Sequence, residues 1–186
     1  MRGIVRRKWS KSMLELQALR LMPWTSVRPV DVAAWPAPGR VRLVRAQETD
    51  AVLGFVHAVR EPAWLGCGPG RLEVCETLDA SLLMSIEHGW FAFGHWQVMD
   101  AERCRVGGIV GRHLLDEQGG RFATLLQEGA AVSAIRDRLG KVLARLETAA
   151  DGGALLRFAE DLGTNPFLRM LLLAACILSP TRAQGR

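Results

Sequence analysis

Four histidines (His57, His88, His95, His113) and four cysteines (Cys67, Cys75, Cys104, Cys176) are the side chains with the most chemistry to offer. A thiol beside an imidazole can act as a nucleophile, and both groups bind metals. Their spacing along the chain gives neither arrangement. There is no C-x-x-C, Glu87-His88 is not extended to H-E-x-x-H, and no cysteine stands at metal-ligand spacing from a histidine. Cys67 or Cys75 could pair with one of the histidines only through the fold, and ordinary surface or half-buried histidines are the simpler reading. "LGCGPGR" (65–71) is glycine-rich, but a strand pattern follows it. A phosphate cradle needs a helix N-terminus, so this reads as a turn. No G-x-S-x-G surrounds Ser81 or Ser85. The residues therefore predict no catalytic group, no metal site, no cofactor and no enzyme.

Charge gives a different lead. The 186 residues carry a formal net charge of +5 and a pI of about 9.6. A basic balance suits an anionic partner, nucleic acid or a lipid surface, and also a plain arginine-rich surface. Arg2, Arg6, Arg7, Lys8 and Lys11 all precede the first acid, Glu15. Such a cluster attracts anionic lipid by roughly 1 kcal/mol per basic side chain near the surface. These five are the candidate lipid-phosphate ligands. "GWFAFGHW" (89–96) brings together Trp90, Phe91, Phe93 and Trp96, which could stack on bases but read better as packing of a wall or rim. Glu15 and Arg20 interrupt any signal-peptide core, and no apolar region follows the paired arginines of "RRKWSK". The cysteines suit a reducing compartment.

The elements that would position these groups are short. Hydrophobic residues make up 49% of the chain and charged residues 23%, which suits a globular core. The 19 glycines favour many turns between short strands. Residues 1–22 read as a basic segment with a short helix, on the spacing of Met13, Leu16, Leu19 and Leu21. Four prolines make 23–39 a linker. The main domain is expected over 40–180, with 181–186 as a tail. Within it "VRLVRA", "RLEVCET", "SLLMSI", "WQVM" and "RFATLLQ" alternate as strands do. Leu72 and Val74 should share one face, Glu73 and Cys75 the other; Leu82, Met84 and Ile86 should point together. An irregular repeat runs through 43–56, 72–86, 97–110 and 134–146, each an apolar pair, a polar turn and a second alternating run. Residues 130–150 fit either a helix or a hairpin. Gly140 would cost a helix about 1 kcal/mol relative to alanine, whereas 137–140 makes a good turn, so the hairpin is favoured.

From Met170 to Leu178 every residue is apolar. Thr164 or Asn165 can cap a helix, Pro166 suits its first position, and Ser179-Pro180 ends it. About thirteen residues span roughly 20 Å. A bilayer core of about 30 Å needs about twenty. A short helix that is apolar on all sides belongs inside protein. Phe167, Met170, Leu171, Leu172, Leu173, Cys176 and Ile177 are accordingly expected to be buried in a central helix.

From about Gly39 to Leu178 the chain resembles the tubby C-terminal-like superfamily, in its phospholipid scramblase and LURP-one-related branch. The likeness rests on "WQVMDAERCRVGGI", "LRFAEDLGTNPFLRMLLLAACIL" and "GRLEVCETLDASLLMSI", in that superfamily's order of segments. It implies a mainly β fold: a closed antiparallel barrel wrapped around a buried hydrophobic C-terminal helix. It also implies a non-enzymatic protein that binds phospholipid or a membrane surface, cytoplasmic and peripheral at the membrane. A nucleic-acid-binding module and a protein-interaction domain without a ligand are the alternatives. The scramblase palmitoylation cysteines are missing. The stretch before the last strand offers only Glu147 and Asp151 as acids, too few for calcium.

Overall fold

The computed structural model describes residues 13–26, 40–59, 70–76, 80–88 and 94–179. The five basic residues Arg2, Arg6, Arg7, Lys8 and Lys11 lie outside the described residues. So do most of the proline-rich linker, Cys67 and the aromatic residues 90, 91 and 93.

Twelve strands follow one another: β1 (Ala18–Leu21), β2 (Val41–Ala46), β3 (Val52–Val59), β4 (Arg71–Glu76), β5 (Leu82–His88), β6 (His95–Asp100), β7 (Arg105–Val110), β8 (His113–Leu115), β9 (Arg121–Gln127), β10 (Val132–Asp137), β11 (Val142–Thr148) and β12 (Ala154–Phe158). Each pairs antiparallel with its neighbours in sequence, and β1 pairs with β12 to close the barrel. One helix, α1 (Pro166–Leu178), runs inside. Apolar side chains alternate inward: Leu19 and Leu21, Leu72 and Val74, Leu156 and Phe158 all join the core around α1. Charged side chains such as Arg20, Arg45, Glu73 and Arg145 line the outside in ion pairs. That is the inverse of a lipid-facing barrel.

Three turns are built alike, and two of them, at Asp100 and Asp137, explain why the third and fourth segments of the repeat look alike. Asp100, Asp116 and Asp137 each accept two backbone hydrogen bonds through Oδ1, from the residues two and four positions on. In each, the residue three positions on has positive φ: Arg103, Gly119 and Gly140. This is a type I turn closed by a bulge, with the register shift in the adjoining strand pair. Residues 130–150 are thus a hairpin. Gly140 at φ +84° is in the left-handed region that a helix excludes and this turn requires.

One facing assignment fails. Met84 and Ile86 point into the core, but Leu82 packs on the outside with Val41, Leu43, Phe55 and Cys75. The register shift between Val74 and Cys75 sets Leu82 opposite Cys75 and turns it outward.

The N-terminal helix is also corrected. Met13–Glu15 forms one 3-10 turn, and Ala18–Leu21 is a barrel strand. The barrel domain therefore takes in residues well before position 40. Leu19 and Leu21 are two apart, which suits an inward-facing strand, and pairing with β2 and β12 overrides the weak helical spacing.

Asn165 caps α1: its Oδ1 accepts from the backbone N–H of Phe167 and Leu168. Arg169 through Ile177 are all buried, including Met170, Leu171, Leu172, Leu173, Cys176 and Ile177. Phe167 is not: it is 51% exposed, because the first turn of the helix stands clear of the barrel end. A Cβ on Gly107 in β7 would sit 2.3 Å from the Leu115 carbonyl oxygen of β8 and 3.0 Å from both Leu171 δ-carbons of the helix. Among the described residues no helix is long and apolar enough to cross a membrane.

Arg169 is the one charge among the buried residues of α1. Its Nη1 donates to the carbonyls of Leu14 (2.6 Å) and Leu16 (3.0 Å), and its Nε and Nη2 donate to Gly163. Its guanidinium also lies 4.9 Å from the centre of the Phe158 ring. The carbonyls of buried Leu14, half-buried Leu16 and exposed Gly163 thus share one donor side chain. Arg169→Met should lower stability by about 2–4 kcal/mol, read as a fall in the urea midpoint.

At the opposite end, Asp151 joins the β11–β12 turn to β1. It accepts from Gly153 N–H and pairs with Arg20 at 2.8 Å. The Gly153 bond, then Arg20, hold its carboxyl below the ordinary value. A depressed carboxylate stabilises the fold above its unfolded pKa and stops doing so as pH falls through its folded one. Asp151→Asn should therefore melt lower than wild type near about pH 6 and lose less on going to about pH 3.

Candidate functional sites on the barrel wall

Two places on the outer wall concentrate polar chemistry. The first lies on β9 and β10 and on the turn that follows them. Arg121, Thr124, Leu126, Arg136, Arg138 and Gly140 line a depression of about 260 Å³. Arg136 is committed: it pairs with Glu128 Oε1 at 2.5 Å and donates to the Gly140 carbonyl. Glu128 also holds Arg145 at 2.6 Å, and Arg136 foremost pulls its carboxyl below the ordinary value. Arg138 donates through Nε to the Arg121 carbonyl. Neither Arg121 nor Arg138 has an ion-pair partner among the described residues. Asp137 also borders the depression, but its Oδ1 is spent on Leu139 and Lys141 N–H. At the tip of this turn Leu139 is 93% exposed, between Arg138 and Lys141. Lys141 reaches Asp161 at 2.7 Å.

The second place lies on β3 and β4. His57 is paired directly opposite Glu73, and Phe55 opposite Cys75. The alternation expected for "RLEVCET" is observed, so Glu73 and Cys75 face outward together. His57 Nε2 is 3.1 Å from Glu73 Oε2, and Arg71 Nη2 is 2.6 Å from Glu73 Oε1. Glu87 on β5 sits beside Arg71 and Arg103 and accepts from the buried Ser85 hydroxyl. Burial, only partly offset by Glu73, lowers the His57 pKa. The neutral ring then donates its Nε2 hydrogen to Glu73. Burial, with the Glu73 charge second, pushes the Cys75 thiol up to about 11. Imidazole, carboxylate and thiol therefore stand together, with donor atoms all within 4.8 Å of one another. Because the thiol is protonated at neutral pH, they are not an activated nucleophile.

Spacing along the chain predicted no such cluster. The shared face of Glu73 and Cys75 was readable from alternation, but His57 arrives only through strand pairing. The arginine-lined depression left no local signal either, since its residues come from two strands and a turn. Among the aromatics, Trp96 is half-buried and its ring stands nearly perpendicular to that of His88, with centroids 4.9 Å apart.

Two further groups are buried. Arg42 is 1% exposed, with Nε on the Met22 carbonyl at 2.7 Å and both Nη atoms without a hydrogen-bond partner among the described residues. Cys176, wholly enclosed on α1, has its thiol pushed up to about 12 by burial against the pull of Arg42.

No protein family, curated protein or solved structure matches this chain.

The thiols should differ sharply in reactivity. Cys104 is exposed on the β6–β7 turn, whereas Cys75 and Cys176 are buried. Peptide mass spectrometry after brief alkylation of native protein near about pH 7.5 should find Cys104 modified and Cys75 and Cys176 spared until denaturant is added.

Proposed function

We propose that this protein binds anionic phospholipid at a membrane surface, without catalysis, through the β10–β11 turn and the arginine-lined depression beside it. One observation carries the reading: Leu139, almost fully exposed, projects from the tip between Arg138 and Lys141, next to a depression lined by Arg121 and Arg138, neither of which has an ion-pair partner among the described residues. An apolar tip flanked by cations matches the interface of a bilayer, with acyl chains below and phosphates at headgroup level. Arginine suits the phosphates because its fork donates two parallel hydrogen bonds.

The magnitudes describe a weak contact. Burying one leucine contributes about 1.5–3 kcal/mol, and each nearby cation about 1 kcal/mol. A turn of this size docks reversibly and needs a second contact for lasting attachment. The basic segment of Arg2, Arg6, Arg7, Lys8 and Lys11 is the natural candidate, acting by raising the effective concentration of the turn at the surface. The protein would then sit peripherally on the cytoplasmic face. The barrel around a helix, and the resemblance to lipid-handling proteins in the order of segments, support the same reading.

Co-sedimentation with phosphatidylcholine vesicles, with and without phosphatidylserine, tests it at two salt concentrations. The chain should pellet with the anionic vesicles, less so in high salt. Leu139→Asp and the double change Arg121→Glu, Arg138→Glu should each weaken binding about tenfold, which is 1.4 kcal/mol. Folded protein that stays in the supernatant with anionic vesicles overturns the proposal. Salt-dependent retention of nucleic acid without vesicle binding would select a nucleic-acid module instead.

A further inference from the structure

Half-way round the wall from β10, the outward face of β3 and β4 holds three metal-binding groups of three different kinds. His57 and Glu73 are direct cross-strand neighbours, and Cys75 follows Glu73 on the same face. Their donor atoms lie within 4.8 Å of one another, and His57 Nε2 and Glu73 Oε2 are 3.1 Å apart. Ligands around tetrahedral zinc, with bonds of about 2.0–2.3 Å, stand about 3.3–3.8 Å from each other. Metal binding would need side-chain rotations that draw the donor atoms together by up to about 1 Å, with the strands left in place.

The surroundings order these groups as a ligand set. Arg71 holds Oε1 of Glu73 at 2.6 Å and leaves Oε2 turned toward His57, which sets the carboxylate up to bind through one oxygen. The Phe55 ring lies 5.9 Å from the His57 ring and, with Val41 and Leu43, packs the apolar side of Cys75. The charge of Arg71 counts against a cation. Glu87, with Arg71 on one side and Arg103 on the other, offsets it. His57 and Glu73 keep 18% and 22% of their side-chain surface open, so the cluster is reachable from solvent.

We propose that His57, Glu73 and Cys75 form a binding site for a borderline-soft divalent transition metal, Zn²⁺ foremost, with the fourth position open to water or a small donor ligand. The mixed nitrogen, oxygen and sulfur set decides the class of ion. Calcium and magnesium want oxygen ligands only, while thiolate with imidazole favours zinc. Binding displaces the thiol proton to solvent, and the thiolate–metal bond replaces the S–H bond. The site is separate from the lipid-binding surface proposed above, so either can fail alone.

Cobalt(II) is the probe, because its spectrum reports both thiolate ligation and geometry. The full chain carrying Cys67→Ser and Cys104→Ser should develop a thiolate-to-cobalt charge-transfer band and visible bands of tetrahedral intensity. The bands should saturate at one equivalent and be erased by Zn²⁺. Cys75→Ser should abolish the charge-transfer band, and His57→Gln should weaken binding at least tenfold. Zn²⁺ should raise the melting temperature of the parent and of neither variant. Absence of the bands in folded parent protein, or their persistence in Cys75→Ser, overturns the proposal. If Cys75→Ser does not fold, His57→Gln decides: unchanged affinity there is equally fatal.

Discussion

The structure depends on filling the space that twelve strands enclose. Eight strands make a barrel that wall side chains alone can pack, and sixteen or more leave a channel. Twelve leave a lumen too wide for side chains and too narrow to stay wet at no cost, and α1 occupies it. This is why Met170 to Ile177 can be apolar on every side without meeting lipid. Gly107 carries no side chain where the β8 backbone and the helix both press on β7. The closure follows from the same constraint. Arg169 enters the buried region with the helix and satisfies its hydrogen bonds on the carbonyls of Leu14, Leu16 and Gly163. That fixes the segment just before β1, and β1 then joins β2 to β12. A buried guanidinium is costly to desolvate, and here it yields a single fixed position for the plug relative to the wall.

With the inside committed to packing, the chemistry moves to the outside. The outer wall is not uniformly polar. Around β2, β3 and β4 it carries a second apolar cluster of Val41, Leu43, Phe55 and Cys75. The edge of that cluster grades into Arg71, Glu73 and His57, so the same side chains that bury Cys75 also raise its pKa and neutralise His57. On the far side, β9 and β10 carry more arginines than acids, because Glu128 can balance only Arg136 and Arg145. Both proposed sites arise where the wall's charges are left out of balance or tied to a buried thiol.

The turns show how one local solution serves two ends. In the Asp100, Asp116 and Asp137 turns the aspartate's two backbone hydrogen bonds replace a side-chain role with a structural one. The residue two positions after the aspartate is held by its backbone N–H, and its side chain is left exposed. It is Glu102 in the first turn, Gln118 in the second and Leu139 in the third. Only the last is apolar, and at 93% exposed it projects outward. That residue and the cations beside it are what set this hairpin tip apart from the other two, and they are what the proposed membrane contact rests on.

Strand periodicity, polar turns and the length of the apolar run were enough to specify antiparallel hairpins and a buried helix, while the closed barrel was implied only by the resemblance to the tubby C-terminal-like superfamily. Each is a local property, and each has one backbone solution: alternation faces a core, Gly140 needs positive φ, and thirteen residues cannot span a bilayer. Where two local solutions were close, the sequence misled. Met13 to Leu21 had weak helical spacing and became a 3-10 turn and a strand, and Leu82 turned outward at a bulge, because pairing across strands outweighs propensity within one. Phe167 fell on the exposed first turn because helix length does not say where the barrel rim lies. Function was least legible. His57 is sixteen residues from Glu73, and Arg121 is seventeen from Arg138. Strand register alone sets which residues meet across the wall, and register is decided by closure of all twelve strands around α1.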